Sequence, residues 1–157
     1  MAKMARVYLR TMSATGSQPV FSAEQLAQAN VWRSGTLAEA LGMQFERNAQ
    51  GGLVLHMPVD ERTFQPMRQL HGGATAALAE TLGSVASALI VGIGARAVVG
   101  VELNANHLRA VRSGAVHATG ELVHEGRTTH VWDIRIRDDQ GILIAVCRLT
   151  NLILATA

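Results

Sequence analysis

The stretch His71-Gly72-Gly73-Ala74-Thr75-Ala76-Ala77-Leu78-Ala79-Glu80-Thr81-Leu82-Gly83-Ser84 decides how the rest of the chain is read. It opens an apolar run that continues to Val91, in which Glu80 is the only charged residue and Thr75, Thr81, Ser84 and Ser87 are the only other polar side chains. A helix apolar nearly all round is buried, so the pattern predicts a central helix from about Gly73 to Val91 with the remaining elements packed around it. The positions three and four away from Glu80 are Ala76, Ala77, Gly83 and Ser84, small side chains that leave room for a ligand or a close backbone. At about 100° per residue, the steps from His71 to Glu80 turn the helix roughly 900°, which sets Glu80 on the face opposite the Gly-Gly start and about 13.5 Å along the axis. One copy of the chain cannot bring both ends to one small reacting group. If both serve one reaction, the site lies between two subunits.

Working outward, Ser22 with Gln25 three residues later is a capping box for a short helix over Ala23 to Asn30, and a second helical turn is expected from Thr36 to Leu41. Gly42 to Glu46, the turn Asn48-Ala49-Gln50-Gly51-Gly52, and Leu53 to Val59 read as a hairpin. Pro58 and Pro66 bracket an irregular connection that leads to the helix start. Beyond Gly92 and Gly94, four strands are expected to end near Arg109, Glu125, Arg137 and Leu154. The clearest alternation sets Val131, Asp133, Arg135 and Arg137 against Trp132, Ile134 and Ile136. The result is an α+β fold, a curved antiparallel sheet wrapped around one long helix. Residues 1–20 are read as an N-terminal extension, taken as a mobile tail, and 21–157 as a single domain.

A chain of 157 residues with 48% apolar and 17% charged residues suits one domain with a core of useful size. With 4% aromatic residues that core is mostly aliphatic. A net charge of +2 is too small to suggest nucleic-acid binding, although arginines cluster locally at Arg109, Arg112, Arg127, Arg135 and Arg137. The single Cys147 excludes an intramolecular disulfide and reads as a buried small hydrophobe. Neither a signal-peptide pattern nor about 18 uninterrupted apolar residues is found, so a cytoplasmic protein without membrane contact is expected.

A helix opened by two glycines presents unpaired backbone N–H groups and the positive end of its dipole, a place that stabilises an oxyanion. His71 and Gln65 stand beside it in sequence. Glu80 has no basic residue three or four positions away, and a buried unpaired carboxylate is costly to keep without a task. Desolvation raises its pKa, which suits a general base, and Ser84 lies one turn on along the same face. The histidines show no metal-ligand spacing, and nucleophile elbow, phosphate loop and dinucleotide fingerprint are missing. No metal or cofactor is expected.

Gln65-Pro66, then His71-Gly72-Gly73 and Ala79-Glu80-x-x-Gly83-Ser84, and later Gly100-x-Glu102-x-Asn104-Ala105-Asn106-His107 with Arg109, closely resemble the hot-dog fold acyl-CoA thioesterases. The nearest branch holds the 1,4-dihydroxy-2-naphthoyl-CoA thioesterase, the enterobactin-pathway proofreading thioesterase and the Glu-dependent 4-hydroxybenzoyl-CoA thioesterase. The resemblance runs from about Phe21 to Leu154. It implies a homotetramer of two dimers with active sites between subunits. It further implies that the Gly72 N–H polarises the thioester carbonyl with help from His71 and Gln65. Glu80 of the facing subunit then acts as nucleophile or base, supported by Ser84. The expected substrate is an aromatic or medium-size acyl-CoA. His107, Arg109, Arg112 and Arg127 are candidates for its coenzyme A moiety, and Arg68 and Gln69 border the acyl pocket. Two alternatives stand beside this reading: a thioesterase for acyl groups on a carrier protein, and a non-catalytic acyl-CoA binding module.

Overall fold

The computed structural model describes residues 18–92 and 94–155. The expectation for the extension therefore lies outside the described residues up to position 17. Helix α1 spans Ala23–Val31 and opens on the expected capping box: Gln25 N–H donates to Ser22 Oγ at 3.2 Å, and Ser22 N–H to Gln25 Oε1 at 2.9 Å. The same Gln25 donates through Nε2 to the Leu89 carbonyl, which ties α1 to the far end of the central helix. Helix α2 is the short turn Leu37–Ala40. Strands β1 (Gln44–Arg47) and β2 (Leu53–Pro58) form the hairpin, closed by Asn48 Oδ1 accepting from Gln50 and Gly52 N–H, with Gly51 at φ 85°.

The central helix, α3, spans Gly72–Val91, one residue earlier than the glycine spacing suggested. The reason is local. His71 is the N-cap, and its ring Nδ1 accepts from Gly73 N–H at 2.7 Å, so the first helical residue is Gly72. By length and composition α3 matches a membrane-crossing helix. One face of it packs into the core of the protein, where Leu78, Ala79, Leu82 and Ala86 are buried with Trp132, Ile134, Ile136, Ala145 and Leu149, while Ala76, Ala77, Val85 and Ile90 are partly buried.

The later strands are β3 (Arg96–His107), β4 (Ala115–Glu125), β5 (Thr129–Asp138) and β6 (Leu143–Ala155). With the hairpin they make one antiparallel six-stranded sheet in the order β1-β2-β4-β5-β6-β3. Strand β5 alternates as read from sequence, with His130, Trp132, Ile134 and Ile136 buried between less buried neighbours. Strand β3 does not sit beside β4, the next strand in the chain. It pairs with β6, because β2 occupies the free edge of β4, and so becomes an edge strand of twelve residues.

Candidate functional site

Two separate places on α3 carry the residues singled out above. The first is its N-terminus. The connection from β2 folds into a small hairpin in which Gln65 N–H donates to the Gln69 carbonyl, and Phe64 bridges to Leu70. Arg68 takes the tight corner at φ 57°, and its guanidinium lies 5.9 Å from the centre of the Phe64 ring. His71 N–H donates to the carbonyl of buried Thr63, fixing where the helix begins. Around this start lies a cavity of about 370 Å³, lined by Gln65, Gln69, Leu70, Gly72 and Thr75 on one side and by His107, Leu108 and Arg109 on the other.

A Cβ on Gly72 would fall 3.0 Å from His107 Nε2, so glycine is what lets the imidazole lie against the first turn. The Gly73 N–H is occupied by the His71 ring, whereas the Gly72 N–H has no partner among the described residues. His71 does not line the cavity; its observed work is the cap.

The second place is Glu80, more than two turns further on and outside that cavity. Its carboxylate is half-buried against β3, where a Cβ on Gly100 would fall 1.9 Å from Oε1. The strand bulges between Gly100 and Glu102, which makes this close approach possible. Burial pushes the Glu80 pKa above the ordinary carboxylate range, and the Ser84 hydroxyl lies 3.4 Å from Oε1. The expected desolvation is the largest cause, and among the described residues no charged side chain contributes.

Beneath Ser84 lies a polar cluster that sequence reading did not find. Asn151 on β6 is fully buried and reaches Ser84 Oγ, the Gly83 carbonyl and Ser87 Oγ. Ser87 in turn meets the rings of His130 and Trp132. The signal was present: Asn151 falls on the inward parity of β6 between buried Leu149 and Ile153, and His130 on that of β5.

The four coenzyme A candidates are not brought together within one protomer. His107 and Arg109 line the cavity and Arg112 does not. Arg127 lies at the opposite end of β3, where its carbonyl accepts from Arg96 Nη1 at 2.6 Å. Gln69 lines the cavity as expected, while Arg68 turns over Phe64. Among the described residues no group of His, Cys, Asp and Glu is arranged to hold a metal.

The family described as the thioesterase superfamily matches residues 68–145, the segment that contains both places on α3. The putative esterase PA1618 of Pseudomonas aeruginosa is 47% identical over 132 residues, covering 84% of this chain and 91% of its own. The chain belongs to the thioesterase superfamily. The proofreading thioesterase EntH of Klebsiella pneumoniae is 45% identical over 129 residues, or 82% of this chain and 93% of the relative. The crystal structure of a mutant of the Pseudomonas aeruginosa thioesterase PA1618 superposes with a TM-score of 0.80 at 43% identity, over 92% of this chain and all of that one. This thioesterase thus has the hot-dog fold, and its chemistry is thioester hydrolysis.

Proposed function

We propose that this thioesterase hydrolyses an aromatic or medium-size acyl-CoA to the free acid and coenzyme A, in sites completed by a second copy of the chain. The observation that carries the reading is the Glu80 carboxylate. It is half-buried, raised in pKa and without a cationic partner among the described residues, yet it stands outside the cavity at the helix start whose free Gly72 N–H suits an oxyanion. Strand β3 supports the missing partner. It is a long edge with Val99 and Val101 exposed, the kind of edge that natural sheets cover or pair. Antiparallel pairing of two such edges sets the start of one β3 near the end of the other. That brings Arg127 of the partner subunit toward His107 and Arg109, which a phosphate-bearing coenzyme A arm would meet at the cavity mouth.

In this scheme the thioester carbonyl accepts from the Gly72 N–H, with Gln65 beside it and His71 holding the turn. Glu80 of the facing subunit either attacks the carbonyl carbon or takes a proton from a water that does so. Collapse of the tetrahedral adduct breaks the C–S bond: in the base route sulfur leaves as the thiol with the proton Glu80 took from water, and in the nucleophile route it leaves as a thiolate that takes a proton from solvent, after which a water hydrolyses the acyl-Glu80 anhydride to the free acid and the carboxylate. Gln65 and Gln69 in the cavity wall favour an acyl group with polar substituents over a plain alkyl chain. We place the enzyme in the cytoplasm as a homotetramer, a pair of such dimers, without metal or nucleic acid.

The test is thiol release from benzoyl-CoA, a hydroxylated aromatic acyl-CoA and a medium-chain acyl-CoA by the wild type and by Glu80→Gln. The amide keeps the shape, so the variant should fold and assemble while turnover falls by about two orders of magnitude or more. Near-full turnover in Glu80→Gln would return Glu80 to a structural role.

A further inference from the structure

The polar cluster beneath Glu80 can be assigned hydrogen by hydrogen. The indole of Trp132 can only donate, and it does so to Ser87 Oγ at 2.9 Å. The Asn151 amide nitrogen faces the Gly83 carbonyl and Ser87 Oγ, each at 3.1 Å. A carbonyl only accepts, so this end of the amide is fixed as NH2. Ser87 Oγ therefore accepts twice, and its one hydrogen goes to the remaining partner, His130 Nδ1, at 3.1 Å. The imidazole is then protonated on Nε2 and neutral, in keeping with burial that holds its pKa down. What is left of Asn151 is Oδ1, which faces Ser84 Oγ at 3.2 Å and can only accept. Ser84 has one hydrogen and two claimants: this amide oxygen, itself locked in place, and Glu80 Oε1 at the longer 3.4 Å.

We infer that Asn151 is a positioning residue that draws the Ser84 hydrogen away from Glu80, so that the serine turns a lone pair toward the carboxylate and accepts a hydrogen bond from Glu80 when that group is protonated. The inference rests on the reading of Glu80 as the reacting group and deepens it. In the general-base form of that reading Glu80 holds a proton in mid-reaction and then gives it up. A chain running Glu80 to Ser84 to Asn151, anchored through Ser87 to Trp132, supports the protonated form instead of over-stabilising the bare anion. The charged groups nearby do not compete. From β3 the side facing Glu80 is Gly100; Glu102 lies with Asp133 and Arg148 in a separate surface pocket, where the latter two pair. Arg96, four residues along β3 from Gly100, donates to the Arg127 carbonyl, and of the titratable groups described on β5 only His130, neutral in this assignment, reaches the chain, through Ser87.

The experiment is a carboxyl carbon NMR titration of the glutamates in the full-length protein, with Glu80 assigned by its loss in Glu80→Gln. In Asn151→Leu, the freed hydroxyl turns to the carboxylate and the Glu80 titration moves down by about one pH unit, the size of one hydrogen bond to a charged group. Ser84→Ala removes the acceptor, so the titration again moves down. Adding Asn151→Leu to Ser84→Ala then produces no further movement, which a merely structural Asn151 would not predict. A Glu80 titration that is unchanged or rises in Asn151→Leu overturns the inference. So does a rise in Ser84→Ala, since it would show the serine donating to the anion. Should Asn151→Leu fail to fold, the sign of the Ser84→Ala shift decides alone. Retained turnover in Glu80→Gln would instead remove the catalytic reading and leave the hydroxyl orientation standing.

Discussion

Gly100 offers a way to move the Glu80 carboxylate without touching it. A Cβ at this position falls 1.9 Å from Glu80 Oε1, 2.9 Å from its carboxyl carbon and 3.3 Å from Oε2. A carbon–oxygen contact needs about 3.3 Å, so in Gly100→Ala the nearer oxygen must retreat by about 1.4 Å, the difference between that spacing and 1.9 Å. The strand backbone has no reason to yield. Gly100 is not among the positive-φ glycines, and replacing a glycine in an ordinary conformation stabilises a fold by about 0.4–1 kcal/mol. The glutamate side chain has free torsions and gives way first. A misplacement of about 1 Å in a reacting group costs roughly 100-fold in rate, or about 2.7 kcal/mol of barrier. The expected result is therefore kcat lower by about two orders of magnitude with KM little changed and a melting temperature within a few degrees of wild type. Thiol release, thermal melting and size-exclusion chromatography on the same preparation read all three. A kcat within about threefold of wild type in a folded, normally assembled variant would refute the reasoning, since the carboxylate would then not depend on this approach. Loss of folding would refute the claim that the side chain yields.

Because burial raises the Glu80 pKa, the folded state holds its proton in a range where the unfolded chain has released it, so stability falls as pH rises through that window. Glu80→Gln should accordingly melt higher than wild type at neutral pH, with the gap closing below the ordinary carboxylate range, and the acid limb of the wild-type rate profile should lie above that range. Cys147 is buried and its thiol is pushed up to about 11, so a disulfide reporter at pH 8 should find no thiol in the native protein and one per chain in denaturant; prompt native reaction would contradict the burial. In Gly83→Ala the new methyl falls 2.5 Å from Leu149 Cδ2 and 3.4 Å from both Ile134 Cδ1 and Trp132 Cδ1. Overpacking of about 1–3 kcal/mol outweighs the gain of up to about 1 kcal/mol in helix propensity, so a chemical denaturation midpoint should drop, and a rise would show that the core gives way.

Much of the fold was legible in the chain because the signals are local. A helix apolar on nearly every face has to pack against the rest of the protein, and α3 buries one face in the core; a serine three residues before a glutamine caps a helix, and Ser22 with Gln25 does. Alternation in β5 assigned its two faces, since side chains in a strand point opposite ways with period two. The lone charge in α3 marked Glu80, and its nine-residue distance from His71 separated it from the cavity at the helix start.

What the tertiary structure alone decided concerns groups far apart in sequence. The position of β3 at the sheet edge beside β6 depends on which strand claims the free edge of β4, a competition no local pattern records. Gly100 reads as a strand glycine until the bulge sets it against Glu80, and the four basic candidates look alike until β3 places His107 and Arg127 at its opposite ends. Asn151 shows in sequence only as a polar residue on an inward parity. Its partners Gly83 and Ser87 lie 68 and 64 residues away, and a buried amide is satisfied by whichever donors and acceptors the packing brings within reach. Periodicity fixes which face of an element is buried; only the closing of the sheet over the helix fixes which groups meet there.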